Sequence, residues 1–533
     1  MTRTEDAAGA EARELGEALR RLLGPDNVLD DTEAREFFAQ DLSNRRLARP
    51  ALVIQPETVE DLAGAVRTAT GTGFAVVPRG GGMSYTLGYL PAVEKSVSVD
   101  LRKLDRIVEI NTDDMYVIVE AGVTWGQLHA ALDDIGMRTP FWGTLSGYHA
   151  TVGGSLAQDA ALFGSGQFGT AAQSALGLEL VLANGEILRT GSWANRRSTP
   201  FYRHWGPDLT GLFLADTGAL GIKARISLQL VRQPPAMAAA SFGFNTFEEL
   251  VATQTEVTRM RVASECFGFD PYFNEGFEAS GITLSEGFEI LGKIAGSGRG
   301  LRGLGDLFRV TRAGKRVLRK VNYSLHVTVD GHDDGAAGRM MDSIRRVARE
   351  NGAWELTNAI PTVMRAHPFR PIRSNLLGPK GQLWMPMHGI FPLSRAQAAV
   401  DATEAYLAEN RQRMDEHGVT TSYLTAASAN MFLLEPSFYW IDALGPLRLS
   451  VIEPEFQEKW KTIGANPAAR DLVIELRQGI ADLHEALGAV QQQIGKYYAF
   501  SRNMVPESWE LLQGLKRQLD PRGLMNPGAR GLG

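Results

Sequence analysis

The residues of this chain best suited to chemistry begin at Pro78-Arg79-Gly80-Gly81-Gly82-Met83-Ser84-Tyr85, directly after the apolar run 74–77. Three consecutive glycines lack Cβ atoms, so the chain there can curl closely round a phosphate and turn its N–H groups toward it. Ser84 adds a hydroxyl donor. A plain surface turn has little need of three glycines after an arginine, and a phosphate cradle is the reading. A second glycine-rich stretch, 151–169, contains a nominal G-x-G-x-x-G at Gly164, Gly166 and Gly169. A dinucleotide fingerprint needs a strand immediately before its first glycine. Here Asp159-Ala-Ala-Leu-Phe reads as a helix turn, so a Rossmann site for NAD(P) is not expected. Cys266 is the only cysteine, which excludes an internal disulfide framework and any cysteine-built zinc or iron–sulfur site.

These residues need elements to position them. Thr58 can cap a helix through Thr70, with Glu60 and Asp61 well placed in its first turn. A strand over 74–77 ends at Pro78, and further strands are expected at 96–100, 116–120, 178–182 and 224–230. Thr124-Trp-Gly-Gln127 is a capping box that opens a helix through Leu132. Alternation of this kind argues for an α+β or α/β unit. Gln233-Pro234-Pro235 breaks the pattern. Beyond it the chain reads as a second mixed unit, with strands near 323–329 and 383–387 and helices over 395–409 and 468–487. A last helix, 508–519, closes at Asp520-Pro-Arg-Gly523.

The whole-chain properties agree with two or three packed units. A length of 533 residues exceeds one core, and 44% hydrophobic with 22% charged residues is ordinary for a globular protein. A net charge of −6 gives no general attraction to nucleic acid. The N-terminus shows an amphipathic pattern at Leu15, Ala18, Leu19, Leu22 and Leu23 but no export signal, and no apolar run is long enough to span a bilayer. A cytoplasmic protein is the expectation. Between Arg299 and Lys320 eight basic residues face the single acid Asp306. The reading is a solvated helix face, with a docking surface for an acidic partner or a membrane as the sharper alternative.

Taken in order, these motifs resemble the vanillyl-alcohol oxidase / p-cresol methylhydroxylase (PCMH-type) superfamily of FAD enzymes. Pro78, Arg79, Gly80, Gly81, Gly82, Met83, Ser84 and Tyr85 resemble its first pyrophosphate loop, and Thr151, Val152, Gly153, Gly154 and Ser155 its second. The stretch with Gly164, Gly166, Phe168 and Gly169 follows the second loop. Gly221 and Ile222 resemble the segment beside the adenine end, and Leu524-Met-Asn526-Pro-Gly528 the C-terminal closing motif. The resemblance implies an α+β fold: a PCMH-type FAD-binding domain of two α+β subdomains over 1–235 (core about 46–233), an α+β cap over 236–490, and a segment 491–533 that returns to the FAD domain. It also implies hydride transfer from substrate carbon to flavin N5, with oxygen or an electron-acceptor protein taking the electrons on. Dimers are common among relatives.

One branch tethers its flavin through a histidine in the first loop, where this chain has Met83. In another the anchor comes from the cap, and Leu383-Trp-Met-Pro-Met-His388 resembles that strand. His388 is therefore the one covalent candidate and an active-site candidate; noncovalent FAD is the expectation. The resemblance to phenol oxidases assigns Tyr85 and Tyr498, with Tyr497 beside it, to holding a phenolate, since O–H donors and positive charge lower its pKa. The family arginine after the second tyrosine is Ala499 here, which leaves Lys496 or Arg502 to supply the charge. Thr170 stands about where an acidic residue near N5 would lie. The 2-hydroxy-acid dehydrogenases of the same fold carry H-G-x-x-G-D-G-N, which is absent; His326 and His332 frame the turn Asp330-Gly331, which reads as surface, and no metal site is expected. The expected activity is oxidation of an alcohol or phenolic substrate. A 2-hydroxy-acid dehydrogenase and a flavoprotein subunit that serves a partner are the alternatives.

Overall fold

A computed structural model describes residues 2–274, 321–369, 373–378 and 380–532, so the basic stretch 299–320 lies outside the described residues. The α+β class is observed. A four-stranded sheet has the order Val28–Leu29, Leu52–Ile54, Ser96–Asp100, Ala75–Arg79, with the last three strands parallel. Helix Val59–Gly71 connects the two strands that flank Ser96–Asp100. Thr58 caps it by accepting from the Asp61 N–H at 3.0 Å, and Val59, Leu62, Ala63, Val66 and Ala69 bury one face at helical spacing. The strand expected to stop at Pro78 runs on to Arg79. Proline is tolerated because this strand lies at the end of its sheet, where a missing N–H breaks no ladder. The C-terminus meets that strand at its other side: Val76 N–H donates to Leu524 O and Asn526 N–H to Val76 O, at 2.8 and 2.9 Å.

A five-stranded antiparallel sheet follows, in the order Ile107–Asn111, Tyr116–Glu120, Ile222–Gln229, Ala175–Val181, Ile187–Arg189. The third sheet has eight antiparallel strands: Trp354–Leu356, Ala236–Phe244, Tyr323–Gly331, Glu265–Phe269, Thr420–Ser428, Met431–Trp440 and Leu383–Pro386, with Gly389–Pro392 also paired to Met431–Trp440. Helix Pro467–Ala486 buries Leu472, Val473, Leu476 and Ile480 beside this sheet, each worth about 1.5–3 kcal/mol of apolar burial. Its Arg477 is buried too and donates to Pro386 O at 3.0 Å, which fixes the helix to the strand before His388.

His326 corrects the surface reading. It lies on the strand Tyr323–Gly331, between two partners, and is fully buried. Ser241 and Ser324 engage its Nδ1 and Nε2 at 2.9 and 3.0 Å, and burial pushes its pKa down to about 3. Asp330 is no surface turn residue either. It binds Arg138 of the strand Met137–Arg138 at 2.6 Å and Arg365 at 2.8 Å, while Arg365 also reaches Glu265 at 3.0 Å. This buried cluster joins the large sheet to the N-terminal part of the chain.

Candidate active site

The two glycine stretches meet. A Cβ on Gly80 would stand 2.3 Å from Thr151 Oγ1, and one on Gly81 would stand 1.7 Å from His149 O. Gly82 has φ +74°, a left-handed conformation that side chains disfavour. A side chain on Gly80 or Gly81 would push the loops apart. Among the described residues, no group accepts from the amides of Gly81, Gly82 or Met83, so the loop offers unpaired donors beside a cavity. Arg79 braces it from beneath, its guanidinium between the rings of Phe37, Phe38 and Tyr89 at 4.7–4.9 Å. In the second loop Thr151 caps the helix Val152–Gln158 through Gly154 N–H at 3.2 Å, and Gly153 packs on Ala121.

The cavity, about 260 Å³, is lined on one side by Pro78–Tyr85, Thr151, Gly153, Gly154, Ser155, Thr217, Gly221 and Ile222. The opposite side is Trp384, His388, Leu433, Glu435 and Tyr439. Alternation on the strand Met431–Trp440 turns Leu433, Glu435 and Tyr439 toward it. Tyr85 leaves the first loop and crosses to the far wall. Its ring meets Trp384 edge-on at 5.7 Å, and its hydroxyl lies 3.0 Å from His388 Nε2. Glu435 Oε2 lies 2.7 Å from the same nitrogen, while Nδ1 is buried with no hydrogen-bond partner among the described residues. Burial holds the Tyr85 phenol protonated well above its ordinary range, and the Glu435 charge adds to that. The arrangement is a buried carboxylate–imidazole–phenol chain at the end of a cavity. It can hold and accept a proton.

Several expected site residues stand elsewhere. Arg502 is exposed and paired with Asp482 and Glu485, at 3.0 and 2.5 Å; it lies outside the cavity because its turn, Phe500–Asn503, faces the helix Pro467–Ala486 from solvent. Tyr498 does not line the cavity: its hydroxyl accepts from the His388 backbone N–H at 2.9 Å and so fixes His388 in place. The Tyr497 ring lies under Arg477 at 4.4 Å. Gly164, Gly166, Phe168 and Gly169 are docking residues: Gly164 N–H donates to Glu265, and a Cβ on Gly166 would meet Ala263 O at 2.6 Å. Phe168 lies near Arg138. Close approach to the chain's own backbone, Pro140 O for Gly164 and Ala263 O for Gly166, accounts for those two glycines. Val152 is buried in the core behind the cavity. Asn526 acts on the loop's support, donating to Gly88 O and Thr217 O at 2.8 and 2.6 Å while Lys496 donates to it at 2.5 Å. Lys496 also serves Gly88 O and Leu90 O, and burial lowers its pKa to about 7.

Four further residues, unforeseen from the sequence, line the cavity: Glu435, Gln158, Thr217 and Gln493. Glu435 had a signal, a lone carboxylate within the apolar strand sequence Met-Phe-Leu-Leu-Glu-Pro-Ser-Phe. The other three had none.

The family described as FAD binding domain matches residues 50–191, and that described as FAD linked oxidases, C-terminal domain, matches residues 487–529. A probable mitochondrial D-lactate dehydrogenase of Danio rerio is 29% identical over 245 residues, 46% of this chain and 48% of that protein. The chain thus matches about half the length of such curated relatives. Among solved structures, p-cresol methylhydroxylase with substrate bound shares the fold at a TM-score of 0.73 and 17% identity, covering 98% of this chain and 97% of that one. The 4-ethylphenol oxidase of Gulosibacter chungangensis does so at 0.69 and 17%, over 98% and 97%. The unpaired loop amides, the glycines a Cβ would displace and the orphaned Gln158 and Thr217 oxygens all fit the cofactor of these families.

Proposed function

We propose that the chain is a PCMH-type FAD oxidoreductase that oxidises an uncharged alcohol or phenolic substrate in the cavity between the glycine loops and Trp384–His388–Glu435. Gly81, Gly82 and Met83 would hold the pyrophosphate of noncovalent FAD. The bound cofactor supplies a two-electron acceptor. The observation that carries the reading is the Glu435–His388–Tyr85 chain. Glu435 holds the imidazole through Nε2, so Nδ1, which no described residue engages, takes the proton of the substrate hydroxyl, and the carboxylate stabilises the imidazolium that forms. Tyr85 donates its hydrogen bond toward the substrate oxygen, and Trp384 and Tyr439 wall an aromatic ring. Tyr498 keeps His388 in position through its backbone. Oxygen or an acceptor protein takes the electrons on.

A second reading, oxidation of a 2-hydroxy acid, is favoured by the D-lactate dehydrogenase relative. Such a substrate needs a cation for its carboxylate. Among the described residues the cavity's basic side chains are Arg79, enclosed by three rings, and Lys223, held by Asp216 at 2.6 Å. Anaerobic bleaching of the flavin absorbance decides between them. Aryl alcohols and 4-alkylphenols should bleach it while D-2-hydroxy acids do not; bleaching by hydroxy acids alone would overturn the first reading.

A further inference from the structure

Two residues of the cavity wall carry a side-chain oxygen that has no partner among the described residues. Gln158 Oε1 and Thr217 Oγ1 are both buried and unpaired among the described residues, and both residues line the cavity. Backbone geometry places them together. Gln158 ends its helix, and Asp159 turns the chain at φ 56°. Thr217 is itself left-handed at φ 56°, held there by its N–H on Ala157 O at 2.9 Å and by Asn526 donating to its carbonyl at 2.6 Å. Both side chains pack on Gly88, where a Cβ would stand 2.5 Å from Gln158 Nε2 and 3.0 Å from Thr217 Cγ2. The Gln158 backbone carbonyl accepts from the Gln493 backbone N–H at 3.0 Å, which ties this wall to the C-terminal arm. A fold that strains a backbone and leaves buried oxygens unpaired has set them for a ligand, because such groups are costly when unsatisfied.

We infer that Gln158, with Thr217 beside it, recognises the cyclic imide edge of the flavin ring, its amide taking the ring N3–H at Oε1 and donating Nε2–H to the adjacent ring carbonyl. A primary amide is the side-chain complement of such an edge, since it offers one acceptor and one donor side by side. The Thr217 hydroxyl supplies one further donor or acceptor. This assignment rests on the reading that FAD occupies this cavity.

The test compares two cofactors and needs no turnover. The chain is prepared as His388→Ala, which cannot carry a tether at that residue, stripped of flavin, and titrated with FAD and with N3-methyl-FAD while flavin fluorescence is followed. The parent should bind FAD about tenfold or more tighter than the methylated cofactor, the effect of one lost hydrogen bond in a buried site. Adding Gln158→Leu should weaken FAD and bring the two within about twofold of each other. Gln158→Glu, nearly the same shape and still an acceptor for N3–H, should keep a preference for FAD; it serves as the check should the leucine variant fold poorly by circular dichroism. Equal binding of both cofactors by the parent, or an undiminished preference in Gln158→Leu, would overturn the inference while FAD binding itself stood. Failure of the parent to bind either cofactor would overturn the cavity reading beneath it.

Discussion

The two walls of the cavity are built on different principles. The glycine-loop wall is backbone: Gly80 and Gly81 press against Thr151 and His149 so closely that side chains are excluded, Gly82 lies against Arg79, and the donors left over are amides. The opposite wall is side chain: Tyr85, Trp384, His388 and Glu435 reach it from three separate segments. A wall made of backbone tolerates almost no substitution and recognises a constant group such as a pyrophosphate. A wall of side chains on strands can be rebuilt one residue at a time, which suits the part that meets the substrate.

The largest effect on cofactor content should fall on the backbone wall. Gly81→Ala places a Cβ 1.7 Å from His149 O, a contact only backbone movement can relieve. The purified variant should carry flavin reduced by about tenfold or more per chain, with circular dichroism unchanged. Full flavin content would dissolve the distinction between the walls.

That contrast also explains what could be read from the sequence. Pro78–Tyr85, Thr151–Ser155 and the 524–526 return announce themselves because glycine runs and a closing motif are local patterns. The helices at Val59–Gly71 and Trp125–Asp133 were legible from their caps, Thr58 and Thr124. The far wall was legible only in part. His388 and Tyr85 were found, but their link to Glu435 depends on the register of Met431–Trp440 with Gly389–Pro392, a pairing no local pattern encodes. Arg502 failed for the same reason: nearness in sequence to Tyr498 did not bring it to the cavity. In the G-x-G-x-x-G, Gly164 packs on Pro140 and Gly166 on Ala263, because glycine serves close backbone approach to protein as readily as to phosphate.

The next effect concerns how the side-chain wall is fastened. Asp330→Asn leaves Arg138 and Arg365 in a buried site without their shared carboxylate, and should lower unfolding stability by about 3 kcal/mol in urea. An unchanged midpoint would show that the walls are held together some other way.

A smaller effect is expected from pH. His326 is neutral in the fold with a pKa of about 3, whereas in the unfolded chain it protonates near its ordinary 6.5. Between these values the unfolded state binds more protons, so His326 favours the fold fully above pH about 6.5 and progressively less as pH falls toward 3, by up to about 1.4 kcal/mol per pH unit. His326→Gln should make the fall in melting temperature between pH 6.5 and 4.5 shallower. A steeper fall would reverse the sign of this account. Arg502→Ala should do least, changing flavin reduction by less than about twofold, since its exposed ion pairs contribute little; a large loss would restore it to the site.

Whether the loops hold the cofactor while His388 serves the reaction is decided by anaerobic stopped-flow reduction of His388→Phe against the native chain. The variant should hold equal flavin, with reduction slowed by about 10²–10⁴-fold, the range of a positioned proton acceptor. Native-rate reduction with full flavin would contradict it.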